Sequence, residues 1–214
     1  MDLLIFDLDG TLIDSQLDLA HSVNAARAHM GFTPLGHHII ATYVGNGSRV
    51  LIERAMGEGA AEADIEKAHA YFLQYYREHM LDHTKLYPGV REALEEFRRK
   101  GITMAVLTNK PVRFSQAIID GLGLGDHFFR VYGGNSFEQK KPHRMGVDKL
   151  IGESGAARER TLMVGDSGVD VKTARNASIP VAGVTWGFQP EGFDSEPPDV
   201  LVDEMEELVR YVLR

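Results

Sequence analysis

The chain has 214 residues, with 23 lysines and arginines against 31 aspartates and glutamates, a formal net charge of −8, and no cysteine. That balance lacks the basic stripe of a general nucleic-acid binder, and the missing thiols exclude disulfides, thiolate zinc sites, iron–sulfur clusters and a cysteine nucleophile. At 43% hydrophobic and 25% charged residues the composition is globular, with room for one domain or for one domain carrying a large insertion.

Leu3–Phe6 opens the chain as a short continuous apolar run, the pattern of a strand covered on both faces of a parallel sheet. Met1–Asp7 has neither the basic region nor the apolar length of a signal peptide, and no later run reaches membrane-spanning length. The expectation is a soluble cytoplasmic protein. From about Ser15 to His83 strand signals disappear. Leu19, Val23, Ala26 and Met30 follow helical spacing up to Gly31. A second helix is predicted near Ile39–Val44, and a third over Ser48–Met56 with Ser48 as cap. A fourth, about Ala63–Asp82, carries Ile65, Ala68, Phe72 and Tyr76 on one stripe.

Beyond this interval strands and helices alternate. Val90, Ala93, Leu94 and Phe97 mark a helix between Pro88-Gly89 and Lys100-Gly101; Thr103–Leu107 reads as a strand. Pro111 opens the next helix at its first turn, with Ala117, Ile118 and Leu122 on it. Further strands are predicted at Phe128–Tyr132, Thr161–Val164, Pro180–Val184 and Val200–Val202, with a helix over Val169–Ala177. The pattern predicts an α/β fold: a doubly wound, Rossmann-like parallel-sheet core, residues 1–14 and 84–214, with a separate all-helical cap, residues 15–83, inserted after the first strand.

The residues with chemistry follow candidate strands. Asp7-Leu8-Asp9-Gly10-Thr11 comes directly after the first run, and residues two apart in an extended segment point the same way. Asp7 and Asp9 thus converge at the carboxyl end of a strand, where open α/β sheets bind ligands. Paired carboxylates repel unless a cation or proton sits between them. Asp9-Gly10 alone would read as a turn. Asp166 in Val164-Gly165-Asp166-Ser167-Gly168-Val169-Asp170 supplies a further carboxylate, and oxygen ligands without sulfur or imidazole suit magnesium. The alternative is that Asp166 or Ser167 caps the following helix. Thr108-Asn109-Lys110 and Lys140-Lys141-Pro142 add the hydroxyl, backbone donors and ammonium that phosphate oxygens require.

Asp7-Leu8-Asp9-Gly10-Thr11-Leu12, Thr108-Asn109, Lys141-Pro142 and Gly165-Asp166-Ser167-x-x-Asp170 resemble the four motifs of the haloacid dehalogenase superfamily, and the helical insertion resembles the cap of one large subgroup. The resemblance implies a phosphatase rather than a dehalogenase, because Asp9 is present. It implies that Asp7 attacks phosphorus to form an aspartyl phosphate and that Asp9 protonates the leaving oxygen, then activates water. It further implies that Thr108 and Lys141 hold the phosphoryl group, and that Asp7, the Asp9 carbonyl and Asp166 bind Mg2+. Asp170 would be a supporting ligand or would orient Lys141.

Within the family, Asp14-Ser15-x-x-Asp18-Leu19, Tyr43-Val44-Gly45-Asn46-Gly47, Leu51-Ile52-Glu53-Arg54-Ala55 and Gly133-Gly134 resemble the branch that hydrolyses 2-phosphoglycolate. Asn135 and Arg144 depart from that branch. Gly45, Asn46 and Gly47 would then present backbone amides to an anionic substrate, with Arg49 or Arg54 meeting a carboxylate and Asn109 beside the phosphoryl group. Inorganic pyrophosphatase, sugar-phosphate phosphatase and β-phosphoglucomutase activities remain open on the same mechanism, as does a non-catalytic regulatory role. The expected partner is a small phosphorylated metabolite, with no nucleic acid or membrane, on a monomer or homodimer. His79 and His83, four apart, lack an evident third ligand and read as surface.

Overall fold

The computed structural model describes residues 1–214, apart from the side chains at positions 190 and 191. Its strands are β1 (Leu3–Phe6), β2 (Ile13–Asp14), β3 (Lys85–Leu86), β4 (Thr103–Leu107), β5 (Arg130–Tyr132), β6 (Thr161–Gly165), β7 (Val181–Val184) and β8 (Val200–Val202). Its helices are α1 (Gln16–His29), α2 (His37–Ala41), α3 (Ser48–Met56), α4 (Glu62–His79), α5 (Val90–Arg99), α6 (Val112–Gly121), α7 (Met145–Ser154), α8 (Gly168–Ala177) and α9 (Met205–Val212). Six strands form one parallel sheet in the order β5-β4-β1-β6-β7-β8. The chain builds outward from β1 through β4 to β5, then restarts on the other side at β6. That reversal places the switch point, where such sheets bind ligands, at the carboxyl end of β1.

The continuous apolar runs are explained by the two covered faces of the sheet. Leu4 and Phe6 pack with Val106, Leu162, Val164, Leu94 and Phe97. Leu3 and Ile5 point the other way, into Ala105, Met163, Val147, Val171 and Val181. All four β1 side chains are fully buried, so the period-2 alternation separates two apolar layers rather than core from solvent.

Between β2 and β3 the described chain is helical. The predicted stripe Ile65, Ala68, Phe72 and Tyr76 of α4 is buried, as are Leu19, Val23 and Ala26 of α1 against it. β2 and β3, which sequence did not signal, pair antiparallel where the chain leaves for these helices and returns. Beside this ribbon Asp18, at the start of α1, is buried. Its carboxylate accepts hydrogen bonds from the His83 and Thr84 amides (3.0 and 2.8 Å), the Thr84 hydroxyl (2.8 Å) and His83 Nδ1 (2.8 Å). Burial alone would raise the pKa of this acid, but these donors hold it below its ordinary value. Asp18→Ala strands buried donors and is expected to cost about 2–3 kcal/mol, a Tm loss of about 4–12 °C for a chain of this size. Thermal denaturation followed by circular dichroism reads it; a shift under one degree contradicts it.

Several element boundaries differ from expectation. Ser48 is the first helical residue of α3, and Gly47 occupies the cap position. The Ser48 hydroxyl instead bonds His69 Nε2 at 2.9 Å. Pro111 sits at the cap of α6 rather than inside its first turn, and α2 covers His37–Ala41. β7 begins at Val181, since Pro180 has no N–H and joins the ladder only by accepting from Met163. His79 and His83 do not share a ligand site: His79 pairs with Asp82 and His83 with Asp18.

Candidate active site

β1 delivers Asp7 to the switch point, with its amide still donating to Val164 O at 2.9 Å. The chain then turns at Gly10, φ +80°, where an added Cβ would lie 2.2 Å from Asp166 Oδ2. A residue without a side chain and free to take positive φ is therefore what lets the loops after β1 and β6 meet. β4 is followed directly by Thr108, Asn109 and Lys110, all buried. Asn109 Nδ2 bridges the loops by donating to Lys141 O (3.1 Å) and Gly45 O (2.9 Å). After β6, Asp166 accepts from the Phe188 amide at 2.8 Å. Ser167 caps α8 in a capping box with Asp170. Both readings of this segment thus hold: Ser167 caps, while Asp166 faces the site.

At the centre Lys141, only 4% exposed, lies 2.7 Å from Asp170 Oδ1 and 2.9 Å from Asp7 Oδ1. Asp170 Oδ2 accepts from the Ser167 hydroxyl at 2.7 Å, so this carboxylate anchors Lys141 to the start of α8. Asp7, Asp166 and Asp170 bring carboxylate oxygens within 4.8 Å of one another. Three buried carboxylates against one ammonium leave an excess of negative charge in low dielectric, and an oxygen-liganded divalent cation offsets it. The donor set fits magnesium.

The electrostatics agree. Burial, reinforced by the Asp170 charge and partly opposed by Lys141, pushes Asp7 up to about 6. Burial and the neighbouring Asp170 and Asp7 raise Asp166 well above its usual range. The metal-free fold therefore holds protons that the unfolded chain would release, so its stability falls as pH rises from the unfolded value of 3.8 through about 6. A bound cation must displace those protons. Apparent Mg2+ affinity is expected to weaken about tenfold per pH unit per displaced proton below pH 6. Mg2+ should accordingly raise Tm more at pH 7.5 than at pH 5; the opposite order in a thermal-shift titration would reject this ligand set.

Asp9 is held by a different set of partners. It accepts from the Ser15 hydroxyl at 2.5 Å and from Lys110 Nζ at 2.9 and 3.0 Å. Sequence names Lys110 beside Thr108-Asn109 as a phosphate donor and Ser15 in Asp14-Ser15-x-x-Asp18-Leu19, but it does not pair either with Asp9. The cleft is walled by Leu19, Leu51, Phe72, Tyr76 and Phe114, and Gly45 and Gly47 also line it. Burial pushes the Tyr76 phenol up to about 12.

The loop at residues 42–47 turns carbonyls toward the core. Gly45 O accepts from Asn109, Asn46 O from Lys140 Nζ (2.6 Å), and Thr42 and Val44 from Gln189 Nε2 (3.1 and 2.6 Å). The expected arginines are elsewhere. Arg49 pairs with Glu62 on the exposed face, and Arg54 donates to Tyr43 O at 3.2 Å. Neither Arg49, Arg54 nor Asn46 lines the cleft. The reason is geometric: α3 buries the face made by Leu51, Ile52, Ala55 and Met56, and the two arginines lie off that face.

The profile of the haloacid dehalogenase-like hydrolases matches residues 4–184. A phosphoglycolate phosphatase of Pseudomonas putida is 38% identical over 214 residues, covering 97% of this chain and 78% of that protein. One from Chromobacterium violaceum is 41% identical, over 86% of this chain and 84% of that protein. The crystal structure of a predicted phosphoglycolate phosphatase from Haemophilus somnus superposes with a TM-score of 0.93 at 32% identity, covering 99% of this chain and 97% of the other. No helix among the described residues is long and apolar enough to cross a membrane.

Proposed function

The chain belongs to the haloacid dehalogenase-like hydrolase family, and from that premise we propose that it is a magnesium-dependent phosphatase that hydrolyses 2-phosphoglycolate to glycolate and phosphate. The observation that carries the reading is the convergence of Asp7, Asp9, Thr108 and Asp166 on one cleft at the switch point, with Lys141 against Asp7. Relatives named for this activity support the choice of substrate.

The positions support the following chemistry. The Asp7 carboxylate, in front of Lys141, attacks phosphorus; an oxygen–phosphorus bond forms to Asp7 as the bond to the leaving oxygen breaks. Asp9, in the same cleft, gives a proton to the leaving oxygen and then takes one from water that cleaves the aspartyl phosphate. Thr108 donates to a phosphoryl oxygen, and Lys141 offsets its charge. Asp7, the Asp9 carbonyl and Asp166 would hold Mg2+, which supplies charge neutralisation for the phosphoryl oxygens, while Asp170 holds Lys141 in place. In this reading residues 15–83 form a cap that selects the leaving group, and residues 1–14 with 84–214 form the core that carries the chemistry.

The test is a comparison of kcat/KM for 2-phosphoglycolate, pyrophosphate and sugar phosphates with Mg2+ present. The expected result is highest turnover of 2-phosphoglycolate, abolished by chelator and restored by Mg2+. A clear preference for pyrophosphate or a sugar phosphate would replace the substrate and keep the mechanism; inactivity on all of them would reject the enzyme reading.

A further inference from the structure

The cleft holds a second buried ammonium that the phosphoryl chemistry does not use. Lys110 exposes 5% of its side chain, pairs with Asp9 and lies 4.6 Å from the centre of the Tyr76 ring. Tyr76 is itself 1% exposed, and its hydroxyl has no hydrogen-bond partner among the described residues. Both residues line the cleft, and the wall around them is apolar: Leu19, Leu51, Phe72 and Phe114. An ammonium carries three donors and a phenol one, and buried donors of this kind are normally satisfied. Here the ammonium donates to one carboxylate, that of Asp9, and the phenol to none among the described residues, while Lys141 is paired with Asp7 and Asp170 instead.

We propose that Lys110 Nζ and Tyr76 Oη form the subsite that recognises a carboxylate on the leaving group, one carbon away from the ester oxygen. The inference rests on the phosphatase reading and assigns the residues that choose its substrate. The placement follows from reach. Asp9 must stand within about 3 Å of the leaving oxygen to protonate it, and Lys110 touches both Asp9 oxygens. A group bound to Lys110 is thus beside the ester oxygen, at the separation of a short 2-hydroxy acid and too close for a distant charge. Lys110 also lies between Asp9 and the incoming carboxylate, shielding two anions that would otherwise repel. This takes over the role expected of Arg49 and Arg54, which do not line the cleft.

The experiment compares 2-phosphoglycolate with ethyl phosphate, whose leaving group has the same carbon chain and no carboxylate. The ratio of the two kcat/KM values isolates the subsite, because any effect on Asp9 is common to both esters. Wild-type protein is expected to favour 2-phosphoglycolate. Lys110→Met is expected to lower that ratio about 10²-fold and Tyr76→Phe about tenfold, the sizes of a buried charged and a neutral hydrogen bond to substrate. The loss should fall mainly on KM for 2-phosphoglycolate. A ratio unchanged in both folded variants overturns the subsite while leaving the phosphatase standing. Failure of the wild type to hydrolyse either ester overturns the phosphatase reading and the subsite together. Should Lys110→Met fail to fold, Tyr76→Phe decides, since it removes one oxygen without a hydrogen-bond partner among the described residues.

Discussion

Asp7→Asn protein is expected to lose essentially all phosphatase activity, with kcat down by roughly 10⁴-fold or more, the scale seen when a covalent nucleophile is removed. The substitution keeps shape and replaces a carboxylate oxygen with an amide that cannot attack phosphorus. It is expected to do so without unfolding the chain. Asp7 is buried beside Asp166 and Asp170, and burial and Asp170 already press its carboxyl toward the neutral form. Removing one negative charge from that group should hold or raise the Tm of the metal-free protein at pH 7.5, and should weaken the rise produced by Mg2+. Steady-state kinetics and a thermal-shift assay read the two halves separately. Robust turnover would reject Asp7 as nucleophile; inactivity with a collapsed Tm would reject the electrostatic account.

Lys141→Ala is expected to have the opposite signature, losing both activity and stability. Its ammonium is the cation between Asp7 and Asp170. Removing one partner of a buried charge network costs about 3–5 kcal/mol. The loss should be largest in metal-free protein at pH 7.5. It should shrink on adding Mg2+, which restores positive charge, and shrink as pH falls toward 5, where the raised carboxyls take up protons. Turnover should fall about 10²–10³-fold, as when one donor to a developing oxyanion is deleted. Denaturant melts at two pH values, with and without Mg2+, test this. An unchanged Tm in metal-free protein at pH 7.5 would show that the three carboxylates do not depend on Lys141.

Much of this was legible in the linear chain because it is encoded locally. Leu3–Phe6, Thr103–Leu107 and Thr161–Val164 are continuous apolar runs, and a strand buried on both faces cannot tolerate anything else. Whatever follows such a run must emerge at the sheet's carboxyl edge, so Asp7, Thr108 and Asp166 were placed without coordinates. The helical stripe of α4 was equally visible, because its period of 3.6 depends only on neighbours along the chain.

What sequence could not determine are pairings between residues far apart. Asp9 and Lys110 are 101 positions apart, and Asp18 and Thr84 are 66 apart. The two-residue strands β2 and β3 carry no periodic signal at all, and exist because their partners meet. Arg49 and Arg54 had the charge to meet a carboxylate, but α3 buries Leu51, Ile52, Ala55 and Met56 and leaves the arginines to Glu62 and the Tyr43 carbonyl. Lys110 had the same charge in an unpromising place, and the fold encloses it between Asp9 and the Tyr76 ring of α4. Sequence alone determined which residue types stand at the strand ends, and so the class of chemistry. Which cation faces the leaving group was decided only in the tertiary structure. Local periodicity sets the face a side chain points to, whereas its partner depends on how the helices of residues 15–83 seat on the sheet.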